Sequence, residues 1–126
     1  VEFIDHVPQP EVYALIQRAR ACLLIPGRRR YWWTNFAKLV DYLALGVPVI
    51  ADVPPVSEVR EELGKAGNGF FLQGEDVDAD ALALVSWLST GGESGLNGYG
   101  QRYTALRQAE AFATVFDEVL AGGATR

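Results

Sequence analysis

The chain has 126 residues, 49% of them apolar and 21% charged, which is enough to close one hydrophobic core and too apolar for a disordered segment. Eleven Lys and Arg against 16 Asp and Glu leave a net charge of −5, and that balance argues against a broad nucleic-acid-binding face. One cysteine, Cys22, excludes an internal disulfide, and with the one histidine, His6, it cannot build a Cys/His zinc cluster.

No window approaches 18 consecutive apolar residues and no signal peptide opens the chain, so no transmembrane segment and a cytoplasmic location are expected. Methionine is absent even at position 1, which suggests a processed chain or a piece of a longer one.

Strand and helix patterns alternate. Val1 to Val7 is short, apolar and partly β-branched, which predicts a strand running into a loop at Asp5 to Gln9. From Pro10, residues Val12, Leu15, Ile16 and Ala19 keep the spacing of an amphipathic helix, with proline in its first turn where a missing N–H costs nothing. Ala21 to Ile25 reads as a strand covered on both faces, with Cys22 a small core residue in it. An Arg- and aromatic-rich loop follows, then a helix over Thr34 to Leu45 closed by Gly46.

Val47 to Val53 reads as the next strand, ended by Pro54-Pro55. A third helix turns Val59, Leu63 and Ala66 inward, stops at Gly67 or Gly69, and presents Glu58, Arg60, Glu61, Glu62 and Lys65 as its solvated face. Gly69 to Leu72 is the fourth expected strand. Asp78 is then expected to cap a helix with Leu82, Val85 and Leu88 inward. Five glycines between 89 and 100 predict a flexible Gly-rich loop. A final helix resumes near Gln101 and carries Tyr103, Leu106, Phe112, Phe116 and Leu120; its aromatic stripe is either core packing or a brace against another domain.

Strands alternating with helices imply one α/β domain over residues 1–126, a three-layer Rossmann-like parallel sheet with helices on both faces. Ligands on such sheets sit outside the carboxyl ends of the strands, which directs attention to Asp5 to Gln9, Pro26 to Trp33 and Val53 to Ser57. The helix after the second of these loops is the most informative. Its unpaired N–H groups carry about half a positive charge, suited to a diphosphate, and Lys38 adds a full one. Asp41 stands about 60° around the helix from Lys38 and can accept hydrogen bonds from a diol. A solvated Lys–Asp pair worth about 0.2–0.5 kcal/mol accounts for the same spacing.

The run Lys38-Leu39-Val40-Asp41-Tyr42-Leu43-Ala44-Leu45-Gly46-Val47-Pro48-Val49-Ile50 resembles the K-L-x-E-Y-x-A-x-G-x-P-V-I signature of GT-B glycosyltransferases, in particular their large retaining GT4 group. Val1 to Val7, Pro10 to Pro26 and Gly69 to Leu72 resemble the strands and helix that flank it, so the resemblance covers nearly the whole chain. It implies the C-terminal, donor-binding domain of a two-domain enzyme that moves a sugar from a nucleoside-diphosphate sugar to a hydroxyl acceptor. No metal or other cofactor is implied, and the N-terminal acceptor domain is lacking. The isolated chain is therefore expected to be inactive. Peripheral membrane association of the full protein is compatible with this reading.

Carried over by position, the resemblance puts Lys38 in the catalytic role, neutralising the donor diphosphate. It gives the backbone N–H groups of Thr34, Asn35 and Phe36 to the distal phosphate, Asp41 to the ribose, and Asp5, His6 and Val7 to the nucleobase. The sequence departs from the family at three places. Trp33 stands where many members carry an additional glutamate, and Asp41 is one methylene shorter than the usual residue. The family's opening glycine-bearing strand and the basic pair after it have no counterpart.

Arg28 to Arg30 with Tyr31, Trp32 and Trp33 suit either a phosphate and sugar grip or a surface that packs on another domain. His6 reads as a general base or, more simply, as a hydrogen-bonding loop residue, and Ser57 and Glu58 are minor candidates. The rival reading is a non-catalytic module of the same ancestry that binds a partner protein or a glycan. A phosphorylatable receiver is disfavoured because Asp5 and Asp52 have no acidic neighbours at the strand ends.

Overall fold

The computed structural model describes residues 3–25, 37–91 and 98–123. Helix α1 spans Gln9–Arg18 and opens on Pro8 and Pro10, whose fixed φ suits a first turn. Strand β1 is Cys22–Leu24, and the described part of the next helix, α2, is Ala37–Leu45. Gly46, at φ +67°, closes α2 in a Schellman motif: its N–H bonds to Leu43 O at 3.1 Å, and the N–H of Val47 reaches back to Tyr42 O at 3.1 Å. Pro48 follows and leads into β2, Val49–Ala51.

Helix α3, Glu58–Ala66, starts on Ser57, whose Oγ accepts from the Arg60 N–H, and ends on Gly67 in the left-handed region. Strand β3 is Gly69–Phe71 and helix α4 is Val77–Ser89. A 3-10 turn, Tyr99–Tyr103, precedes the long helix α5, Ala105–Gly123.

The three strands are parallel, in the order β1-β2-β3, with Cys22, Val49 and Gly69 aligned across the sheet and Leu24, Ala51 and Phe71 aligned one pleat further on. Those residues face α2 and α3. Leu24, Val49 and Ala51 join Leu39 and Leu43 of α2 and Val59, Leu63 and Ala66 of α3 in the main core, and Phe71, Tyr42, Tyr99 and Tyr103 pack against it. The opposite face carries Leu23, Ile50 and Phe70. Helix α4 covers its β3 end, where the Trp87 and Phe70 rings lie 5.4 Å apart. An Arg20 guanidinium bond to Leu88 O ties the start of β1 to the end of α4. This is the expected α/β architecture: helix, parallel sheet, helix.

Leu63 is wholly buried where α3 meets the sheet. Leu63→Ala is expected to cost about 2–5 kcal/mol, because the rigid surroundings close only partly over the space left behind. Urea unfolding followed by tryptophan fluorescence measures it.

Several expectations are corrected. Residues 3–8 form no strand, and Phe3 and Ile4 are exposed. An extended segment needs a neighbouring ladder for its backbone groups, and among the described residues none pairs with it. Asp76, not Asp78, caps α4, accepting from the N–H groups of Asp78 and Ala79. Leu82 and Val85 of α4 face solvent, and the inner stripe runs through Asp80, Leu84, Trp87 and Leu88 instead.

Glu62 is buried rather than part of a solvated face. Within the glycine-rich stretch, Ser89 ends α4, Gly91 forms the following turn and Gly98 to Gly100 begin the 3-10 turn; residues 92–97 lie outside the described residues. Phe112 and Phe116 are 62% and 64% exposed, so that stripe is not core; only Tyr103 packs inward. The third helix does turn Val59, Leu63 and Ala66 inward and stops at Gly67, and Cys22 is a buried free thiol whose pKa burial pushes up.

Candidate functional site

Helix α2 is held by Leu39 and Leu43, one turn apart and both in the core. That anchoring directs Lys38 and Asp41 to the flank away from the sheet. Lys38, one residue into the described helix, is exposed. Asp41 is half-buried because α1 lies beside this flank, and its neighbours in space include Tyr13.

Tyr13 and Asp41, together with the segment that leads into α1 and the first turns of that helix, line a cavity of about 500 Å³ whose walls are Ile4, Asp5, His6, Val7, Gln9, Val12, Tyr13, Leu15 and Asp41. Thus Asp5, His6 and Val7 share one concavity with Asp41, from a segment more than thirty positions away in the chain. Lys38 is not in its lining. Thr34, Asn35 and Phe36, and the loop of Arg28 to Trp33, lie outside the described residues.

The polar lining accepts more than it donates. The Asp5 and Asp41 carboxylates are acceptors only, and neither Lys nor Arg lines the cavity. The Asp5 carboxylate receives the His6 backbone N–H at 2.7 Å, and the Gln9 amide donates to the Tyr13 hydroxyl at 2.6 Å. The remaining wall, Ile4, Val7, Val12 and Leu15, is apolar. Such a surface suits a largely apolar ligand that carries hydrogen-bond donors.

At the carboxyl ends of the strands, Ser57 is occupied by capping: its Oγ donates to Pro54 O at 3.1 Å and accepts from the Arg60 N–H at 3.3 Å. The Arg60 guanidinium lies over the Phe71 ring, 4.2 Å from its centre. Glu58 is exposed on the same turn.

Two further features escaped sequence reasoning. A cavity of about 530 Å³ opens beyond β2 and β3, lined by Asp52, Leu72, Gly74, Val77, Asp80, Ala81 and Leu84. The Asp80 carboxylate folds the β3–α4 loop there, accepting from the Gln73 N–H at 3.0 Å and the Gly74 N–H at 2.7 Å.

The second feature is the environment of Glu62, whose carboxylate accepts from Tyr99 Oη at 2.9 Å, Arg102 at 3.2 Å, Lys65 at 3.3 Å and, most closely, Tyr103. Burial pushes this carboxyl up, but the bonds from Tyr103, Tyr99 and Lys65 and the Arg102 charge outweigh it and hold it below the usual range. Burial first, and then the bond to Glu62, push the Tyr103 hydroxyl up to about 12. The signal available in sequence was an i, i+3 Glu–Lys pair on a helix otherwise amphipathic; nothing local pointed to the tyrosines.

Fold and site together define an open parallel α/β domain with an acceptor-rich cavity flanking one of its helices. Comparison with protein-family models, with curated proteins and with solved structures finds no match for this chain. Among the described residues, no helix is long and apolar enough to cross a membrane.

Proposed function

We propose that this chain is the donor-nucleotide-binding domain of a glycosyltransferase of the GT-B kind, acting on a nucleoside-diphosphate sugar. One observation carries the reading: Asp5, His6 and Val7, matched to the base-binding segment, and Asp41, matched to the ribose-binding position, line a single cavity beside α2. In this reading Asp41 accepts from the ribose hydroxyls and the segment before α1 packs on the base. Lys38, exposed one turn before Asp41, meets the diphosphate outside the cavity mouth and stabilises the charge that develops as it leaves. A second domain supplies the hydroxyl acceptor across the cleft.

The expected result is saturable binding of a nucleoside diphosphate to the chain. Lys38→Ala should weaken it at least tenfold, by removing a charge-assisted contact worth about 1.5–3 kcal/mol. Isothermal titration with GDP and UDP measures this. No binding of any nucleoside diphosphate at millimolar concentration would overturn the reading.

The exposure of Lys38 outside the cavity also favours a second reading, a non-catalytic module with the same fold. Nucleotide binding that is indifferent to Lys38→Ala, or absent, is the outcome that selects it.

A further inference from the structure

Resting on the donor-site reading, we infer that the nucleobase this cavity takes is guanine, with Asp5 as the residue that selects it. The lining imposes a charge and hydrogen-bond rule on any nucleoside. It offers two carboxylates and no ammonium or guanidinium group. Its neutral donors are the Gln9 amide, turned partly onto Tyr13, the Tyr13 hydroxyl and the His6 imidazole. A ligand that pairs both carboxylates must bring donors of its own.

A ribose brings two hydroxyls, enough for one carboxylate. The division of labour follows from chain position. Ribose adjoins the diphosphate, and Asp41 shares a helix with Lys38, one turn away. Asp5 lines the same cavity from a separate segment, before α1, and is left for the base.

The bases differ in what they show a carboxylate. Guanine places N1–H and the N2 amino group side by side, two donors that one carboxylate accepts together. Uracil and thymine show a single N3–H flanked by two carbonyl oxygens, both repelled by the negative charge. Adenine and cytosine offer one amino group beside a ring nitrogen that is itself an acceptor. The Asp5 carboxylate is also pre-set for this task. The His6 N–H at 2.7 Å holds one oxygen, which keeps a second lone pair for the ligand. Apolar side chains of Ile4 and Val7, on the same segment, provide a surface for the base faces.

Isothermal titration of the full chain with GDP, UDP, ADP and CDP tests the assignment. GDP is expected to bind at least tenfold more tightly than UDP. Asp5→Asn turns one acceptor oxygen into a donor while keeping the shape, so it should weaken GDP at least tenfold and bring the GDP-to-UDP ratio near one. Asp5 is exposed, and an unchanged thermal transition shows that the variant is folded. UDP binding as tightly as GDP, or a guanine preference that survives Asp5→Asn, overturns the inference while leaving the donor site standing. No binding by any of the four nucleotides at millimolar concentration overturns the donor-site reading and the inference with it.

Discussion

Gly100→Ala is expected to lift the 3-10 turn off α2 and free α5 from the body of the domain. Gly100 is buried against the backbone of α2, and a Cβ added there would sit 1.8 Å from Leu43 O and 2.6 Å from Leu43 C. No rotamer relieves that clash, because both neighbours are backbone atoms, and α2 cannot retreat while Leu39 and Leu43 are locked in the core. The turn must move instead. Tyr99 and Tyr103 then leave the core edge, and their bonds to Glu62 go with them.

The expected loss is at least about 3 kcal/mol, the upper end of ordinary overpacking costs, because main chain rather than side chain must yield. Limited proteolysis should cleave the variant near residues 98–105 much faster than the parent, while the α2–α3 core keeps its circular dichroism. Gly98→Ala is the control. Its φ of +76° disfavours a side chain, but a Cβ there meets open space, so a cost of about 1–2 kcal/mol without accelerated cleavage is expected.

Glu62→Ala is expected to destabilise the domain by about 2–4 kcal/mol, a large share of the 5–15 kcal/mol typical of a domain. Glu62 is only 6% exposed, and its carboxylate holds four donors from two parts of the chain. Removing it takes away the carboxylate acceptor of the half-buried Tyr99 and Tyr103 hydroxyls. Arg102 and Lys65, with side chains 53% and 44% exposed, can turn back to water, which keeps the loss below that of a fully buried ion pair.

The same cluster makes stability depend on pH in both directions. Folded Glu62 binds its proton more weakly than an ordinary glutamate, near 4.5, so its contribution is complete above that value and is lost as the pH falls below it. Tyr103 holds its proton up to about 12 instead of 10, so its contribution is complete below pH 10 and is lost as the pH rises toward 12. Denaturant unfolding between pH 3 and 7 should show the acid slope flattened in Glu62→Gln, which keeps an acceptor and loses the titration. An unchanged slope would show that other carboxylates govern acid stability.

The legibility of this protein varied from helix to helix for physical reasons. Helix α3 has one apolar stripe among charged residues, so Val59, Leu63 and Ala66 could be read as its inner face. Helix α4 is apolar nearly all round, from Ala79 through Leu88. Periodicity then carries no direction, and the covered stripe was set by where Phe70 offered a ring to Trp87. Glu62 looked solvated because its immediate neighbours are charged; its acceptors' partners Tyr99 and Tyr103 come 37 and 41 residues later. For the candidate site, motif resemblance points to Asp5, His6, Val7 and Asp41 one by one, and their meeting in one cavity is a property of how α1 lies beside α2.

Features that depend on a few adjacent residues were written in the chain itself: the alternation of short apolar strands with helices, the proline start of α1 and the glycine stops of α2 and α3. Backbone geometry and local hydrogen bonding decide these, and both act over a turn or less. The side of α4 that is covered, the burial of Glu62, the seat of Gly100 on Leu43 and the shared cavity of Asp5 and Asp41 were settled only when distant segments packed. Each is a contact between residues far apart in the chain, and no local pattern records which partner will arrive.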